Sequence, residues 1–158
     1  MGMDVYGNAP RSEAGAYFRN SVWGWHPLAD FLLDTYPDLT ATCEYWHSND
    51  GDGLDDVRAR ALGEAIAADL ASGKVAEYQK RYEVEQAALP DKECHLCQGT
   101  GVRTDEVGVK YGYNKPRDEA TGTGGCNGCQ GIGRVEAWEK NYPFDLENVT
   151  AFAQFLRE

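Results

Sequence analysis

Two stretches of this 158-residue chain obey one template: Cys94-His95-Leu96-Cys97-Gln98-Gly99-Thr100-Gly101 and Cys126-Asn127-Gly128-Cys129-Gln130-Gly131-Ile132-Gly133. Both read C-x-x-C-x-G-x-G, and they hold four of the five cysteines. A C-x-x-C turn brings two sulfurs within reach of one metal ion, and two such turns complete a tetrahedral set. The glycines after each pair permit positive φ, so the backbone folds under the sulfurs and turns amide N–H groups toward the thiolates. The pattern predicts a structural Zn(Cys)4 site with one Zn2+ per chain, ligated by Cys94, Cys97, Cys126 and Cys129.

Other uses of four cysteines fit less well. Two disulfides would suit a secreted chain, but Met1-Gly2-Met3-Asp4-Val5-Tyr6 has neither the basic start nor the apolar stretch of a signal peptide. A single C-x-x-C can be a redox dithiol, whereas two copies with matching glycines favour metal. Four thiolates also suit an iron–sulfur cluster chemically. His95 lies inside the first knuckle, but four sulfurs already fill a zinc shell, so it is expected to point outward or to donate a hydrogen bond to the site.

Charge is uneven along the chain. The net charge is −11; residues 1–91 carry 7 Lys/Arg against 16 Asp/Glu, and residues 92–158 carry 8 against 10. Such a surface repels a phosphate backbone and disfavours general nucleic-acid binding. No apolar run approaches the ~20 residues that span a bilayer. The stretch 92–135 holds 6 positive and 5 negative side chains, the one region where acids do not dominate. Its Lys110, Lys115 and Arg117 are the candidate partner-binding residues, against a plainer reading as solvated loop charges.

The fold class expected is α+β, mostly helical: an acidic helical body over 1–91, an inserted zinc-knuckle β-hairpin over 92–135, and a C-terminal helix over 136–158 that packs back on the body. Tyr6, Tyr17, Phe18, Trp23 and Trp25 are expected to pack in the core rather than to form a partner face. Pro27 reads as the first residue of a helix carrying Leu28, Phe31, Leu32 and Tyr36, which Pro37 ends. A helix over about 54–72 has an apolar stripe of Leu54, Val57, Ala61, Ala65 and Leu70, with Gly73 stopping it. Another follows over about 74–89 until Pro90, and so short a link predicts an antiparallel pair. Asp145 is the expected N-cap of the last helix, whose apolar face is Leu146, Val149, Phe152, Ala153 and Leu156. Between the knuckles, Val102, Val107, Val109, Tyr111 and Tyr113 alternate with polar residues, which predicts a β-hairpin.

Catalytic signatures are sparse. Asp50-Gly51-Asp52-Gly53 invites comparison with a calcium loop, but the twelfth position, where a bidentate Glu is needed, is Ala59. Asp52, Asp55 and Asp56 fit the positive end of the following helix instead. His26, His47 and His95 are isolated from one another in sequence, and no G-x-S-x-G, P-loop or H-E-x-x-H pattern occurs. His47 near Asp50 and Asp52 is the one conceivable acid/base site, against a capping or core role. A zinc ion with four thiolates has no open position for water. Lone Cys43 reads as a small buried hydrophobe. The expectation is a protein that is not an enzyme.

The C-x-x-C-x-G-x-G repeats resemble the zinc-finger module of DnaJ-type co-chaperones, in which four repeats make two zinc sites; two repeats suffice for one. The J-domain tripeptide His-Pro-Asp is absent, the nearest match being His26-Pro27-Leu28, so the resemblance is confined to the module over 94–133. The same module occurs in bacteriophage antitermination proteins. The opening Met1-Gly2-Met3-Asp4-Val5-Tyr6-Gly7, the segment Tyr17-Phe18-Arg19-Asn20-Ser21-Val22-Trp23 and the closing Asn141-Tyr142-Pro143-Phe144 with Glu147-Asn148-Val149 resemble an uncharacterised family of small phage and prophage proteins. That resemblance implies work in the cytoplasm of an infected bacterium, where thiols stay reduced. The function expected is binding of a host protein or complex, as a host-takeover or anti-defence factor such as an anti-CRISPR protein. The alternative is a zinc-finger nucleic-acid-binding or antitermination-type factor.

Overall fold

A computed structural model describes residues 2–158; Met1, the first residue of the expected acidic body, lies outside them. The chain forms two compact units. One combines residues 2–87 with 141–158, and the other comprises Ala88–Lys140.

The first unit opens with a hairpin of β1 (Gly2–Tyr6) and β2 (Tyr17–Ser21), antiparallel with Met3 opposite Asn20 and Val5 opposite Phe18. Alternation turns Met3 and Phe18 inward while Asp4, Tyr6, Tyr17 and Arg19 face solvent. The aromatic cluster thus divides: Phe18 and Trp25 enter the core, whereas Tyr6, Tyr17 and Trp23 stay exposed. Helix α1 (Val22–Thr35) follows directly, with the Ser21 hydroxyl accepting from the Gly24 amide at 3.2 Å.

That cap corrects the reading of Pro27 as a helix start. Pro27 lies inside α1, where its missing N–H leaves one carbonyl without its usual helical partner. Its ring is buried, as are Trp25, Leu28, Ala29, Phe31 and Leu32 of the same helix, and that burial offsets the loss. Pro37 opens α2 (Pro37–Thr40) rather than only closing α1.

After an irregular stretch comes α3 (Asp56–Ser72), capped by the Asp55 carboxylate on the Arg58 amide at 2.8 Å and ended by left-handed Gly73 at φ 84°. Asp52 does not join that cap. It accepts from the Glu44 and Gly53 amides and so pins the preceding loop to itself. Helix α4 (Lys74–Ala87) follows the one-residue link and packs on α3. At the far end of the sequence, Asp145 caps the segment that becomes the unit's last helix, Leu146–Arg157, by accepting from Glu147 N at 2.8 Å. This C-terminal helix packs on α3, and a Cβ at Gly63 would sit 2.7 Å from Arg157 and 3.0 Å from the Ala153 carbonyl. Only a glycine lets the two backbones approach so closely. Phe18, Trp25, Phe31, Phe144, Phe152 and Phe155 mesh as tilted and edge-on rings in one core.

The second unit is tied at its ends by β3 (Lys92–Glu93) paired antiparallel with a strand at Arg134–Val135. The expected β-hairpin over 102–113 is not formed. Glu106–Tyr111 is instead a short helix, α5, with Asp105 capping the Gly108 amide at 2.8 Å and left-handed Gly112 ending it. The alternating apolar residues mislead because they line no core: Val107, Val109 and Tyr111 are exposed. Local polar bonds decide the conformation. The Arg103 guanidinium grips Asp105 at 2.8–2.9 Å, and Arg103 N donates to Tyr113 O at 2.9 Å, closing the turn around α5. The strand at Arg134–Val135 is β4 and the Leu146–Arg157 helix is α6. The fold is mostly helical α+β, with six helices and two short hairpin ladders among the described residues.

Candidate metal centre

The two knuckles interlock through a repeat spaced by 32 residues. In each, the residue after the second cysteine is left-handed, Gln98 at φ 49° and Gln130 at φ 53°, followed by left-handed glycines at 99 and 131. A backbone this tightly curled is what leaves amides facing inward. The interlock is reciprocal: Cys94 N donates to Gly133 O at 2.9 Å, and Cys126 N donates to Gly101 O at 2.7 Å. The last glycine of each repeat lies against the other repeat's backbone. A Cβ at Gly101 would stand 2.4 Å from Gly131 O, and one at Gly133 would stand 2.2 Å from Gly99 O. The second glycine of C-x-x-C-x-G-x-G is therefore set by its φ and by this contact together, and an approximate two-fold relates the knuckles.

The sulfurs meet at the centre of that arrangement. Cys94 and Cys126 are 3.9 Å apart, Cys97 and Cys129 3.7 Å, and all four lie within 4.8 Å of one another. None is bonded to another as a disulfide. They are 0–6 % exposed, with Leu96 and Val135 packed beside them. Burial pushes the Cys94 thiol up to about 11. Burial opposes ionisation of Cys129 too, but the Gly133 amide, 3.1 Å from its Sγ, and the Gly131 amide pull it down to about 7. Four buried sulfurs, with amides aimed at one of them, form a group that could hold a metal ion.

The other candidate residues lie around this centre. His95 is exposed. Lys110 rides on α5 with its ammonium 5.3 Å from the Tyr111 ring centre, and Tyr111 stacks near Tyr113 at 6.1 Å. Lys115 holds the tip through its carbonyl, which accepts from Gly125 N at 2.7 Å, while the Arg117 stem packs against Gly131. The pair of exposed Tyr111 and half-buried Tyr113 was hidden in the sequence by an alternation that reads equally well as a strand.

In the helical unit His47 does not join Asp50 and Asp52. Its Nε2 lies 3.0 Å from Asp30 Oδ1, and its Nδ1 lies 2.8 Å from His26 Nδ1. His26 and Asp30 stand four residues apart on α1, which a helical reading could have paired; His47 comes from a loop with no periodicity to place it. A cavity of about 1000 Å3 adjoins this loop, lined in part by Trp46, Phe152 and Phe155. Half-buried Cys43 lies on its wall, with its thiol pushed up to about 11 by burial and by the Asp52 charge. No helix among the described residues is long and apolar enough to cross a membrane. No known family model, curated protein or solved structure matches this chain.

Proposed function

We propose that the ion held by the four cysteines is Zn2+, one per chain, and that this chain is a zinc-stabilised binding protein. The observation that carries the proposal is the sulfur set itself. Zinc–sulfur arms of about 2.3 Å set the edges of a tetrahedron at roughly 3.8 Å, and the two cross-knuckle separations are 3.9 and 3.7 Å. When bound, zinc supplies folding free energy rather than reactivity, because four thiolates leave no position for a substrate. The chemistry left to such a unit is recognition, through the exposed side chains of α5 and the tip.

The partner in this reading is a host protein or complex in the cytoplasm of an infected bacterium, and the role is host takeover or anti-defence. The resemblance of the chain's ends to phage proteins supports that setting. The acidic surface of the helical unit supports a protein partner over a nucleic acid. A second reading rests on Lys110 beside the Tyr111–Tyr113 pair, an arrangement on which nucleic-acid bases can stack. Neither Lys110, Lys115 nor Arg117 has an ion-pair partner among the described residues.

One experiment separates the readings. Affinity capture from a bacterial host with the zinc-loaded chain should recover one defined complex, and the triple variant Lys110→Glu, Lys115→Glu, Arg117→Glu should lose it. Recovery that is the same for both chains would refute a contact surface on the finger. Binding to single-stranded DNA or RNA that falls steeply with salt would instead establish the nucleic-acid reading.

A further inference from the structure

His26 and His47 are 21 residues apart in sequence, yet their Nδ1 atoms are 2.8 Å apart. The rings are inclined by only 16°, with centres 4.9 Å from each other. Rings stacked face to face would direct their nitrogens past one another. A centre separation this long with a nitrogen contact this short means that the rings meet edge to edge, as an in-plane N–H···N hydrogen bond requires. A metal ion does not fit between them. Two arms of about 2.0 Å at a tetrahedral angle would hold the nitrogens roughly 3.3 Å apart, and no third ligand joins them, the cysteine cluster being the one such group among the described residues.

Proton positions follow from the acceptor at the end of the chain of contacts. The Asp30 carboxylate can only accept, so His47 Nε2, 3.0 Å away, carries a hydrogen. Neutral His47 then has a lone pair at Nδ1, and His26 Nδ1 must donate to it. His26 Nε2 is left as the basic nitrogen. A first added proton goes there and leaves the Nδ1–H···Nδ1 bond intact. A second must go to His47 Nδ1, where two N–H groups and two positive charges would face each other. The contact survives one proton and breaks with two.

The contact ties a loop to a helix. His26 stands on α1, and His47 belongs to the loop 41–55 that joins α2 to α3. The same loop buries Trp46 against Trp25, whose indole N–H donates to the Trp46 carbonyl, and it reaches β1 through Asn49, which donates to Gly2 O at 3.0 Å. Cys43, Tyr45, Trp46 and Leu54 of this loop wall the cavity of about 1000 Å3. We propose that the His26–His47 contact is a proton-operated latch, closing loop 41–55 over this cavity at neutral pH and releasing it when the pair takes up its second proton.

Two side chains face the pair. Asp30 comes from α1 and favours charge on His26; Tyr142, from the segment before α6, meets His26 edge-on at 5.5 Å. Burial, then the His47 ring, holds His26 below the usual histidine range, with Asp30 opposing. The closed state therefore binds fewer protons than the open chain, and closure weakens as pH falls.

Hydrogen exchange on the zinc-loaded full chain, corrected for the intrinsic pH dependence of exchange, tests the latch. Protection of residues 41–55 should fall roughly tenfold or more between about pH 7.5 and about pH 5. The His47→Gln variant, which can still hydrogen-bond but cannot titrate, should show no such step. Asp30→Asn should move the step to lower pH, since the second proton loses its counter-charge; a merely structural Asp30 would leave the loop open at every pH. Imidazole 15N spectra of the unaltered chain at about pH 7.5 give an independent check that needs no variant, with hydrogen expected on His26 Nδ1 and on His47 Nε2. Flat protection in the unaltered chain, the same step in His47→Gln, or the opposite tautomers would overturn the proposal.

Discussion

The two units of this protein reach order by different physics. The helical unit collects Phe18, Phe31, Leu62, Ile66, Phe144 and Phe152 from both ends of the sequence into one apolar core. Its stability is spread over many contacts, none of which is indispensable alone. The finger has almost no apolar core: its buried centre is four sulfurs, with Leu96 and Val135 beside them. Its β-structure amounts to two residues per strand, too little to stand alone. What a hydrophobic core does for the first unit falls, in the proposed reading, to an ion held by the four cysteines of the second. Loss should be gradual in one unit and all-or-none in the other.

The largest effect belongs to the finger. Cys97→Ser, or chelation, should remove the metal and unfold residues 88–140, because structural zinc contributes roughly 10 kcal/mol or more in comparable folds. Amide NMR signals of the helical unit should persist; their collapse would show that the two units do not differ as described. Next comes Phe152→Ala, in a fully packed aromatic position, expected to cost the helical unit about 3–5 kcal/mol in urea unfolding. Metal stoichiometry should be unchanged.

A pair of glycines sharpens the contrast. Gly73 and Gly133 are both left-handed, at φ 84° and 82°, but open space surrounds the first while Gly99 O blocks the second at 2.2 Å. Gly73→Ala should therefore cost only about 1 kcal/mol of backbone strain. Gly133→Ala should weaken metal binding at least tenfold (about 1.4 kcal/mol), read by competition with a chromophoric chelator. Equal, small effects would break the claim that the knuckles interlock through that glycine.

The smallest effect is electrostatic. Lys74 donates to Asp69 Oδ1 at 2.8 Å and the Tyr36 hydroxyl to Oδ2 at 2.9 Å, and together they hold the Asp69 carboxyl below its usual range against the effect of burial. A depressed carboxylate stabilises the fold above its unfolded pKa, and that contribution fades as pH falls. The stability difference between the natural chain and Asp69→Asn should accordingly shrink from neutral pH toward pH ~3; a difference independent of pH would refute the assignment.

Legibility in the sequence follows the same division. The four-cysteine cluster could be read because two matched spacings, Cys94 to Cys97 and Cys126 to Cys129, each followed by glycines free to take positive φ, bring the sulfurs together. Helix ends could be read at Gly73 and Asp145, where one φ value or one side chain determines the outcome, whereas three neighbouring acids left the cap at Asp55 unresolved. The β1–β2 hairpin was not legible, because its outward positions carry Tyr6 and Tyr17, which read as core residues. Helix α5 was misread because its exposed valines imitate a strand, while the decisive bonds run from Asp105 and Arg103. The Asp30–His47–His26 chain depends on where an aperiodic loop lands, which no local pattern encodes.

Native mass spectrometry of the purified chain, kept reduced and never exposed to chelator, tests the central claim most directly. A zinc-bound finger gives a mass one zinc ion above the bare chain less the two hydrogens that its double charge replaces, and returns to the bare reduced mass on acidification. A metal-free chain lacking four hydrogens, as two disulfides would give, or an intact finger at the bare reduced mass, would contradict it.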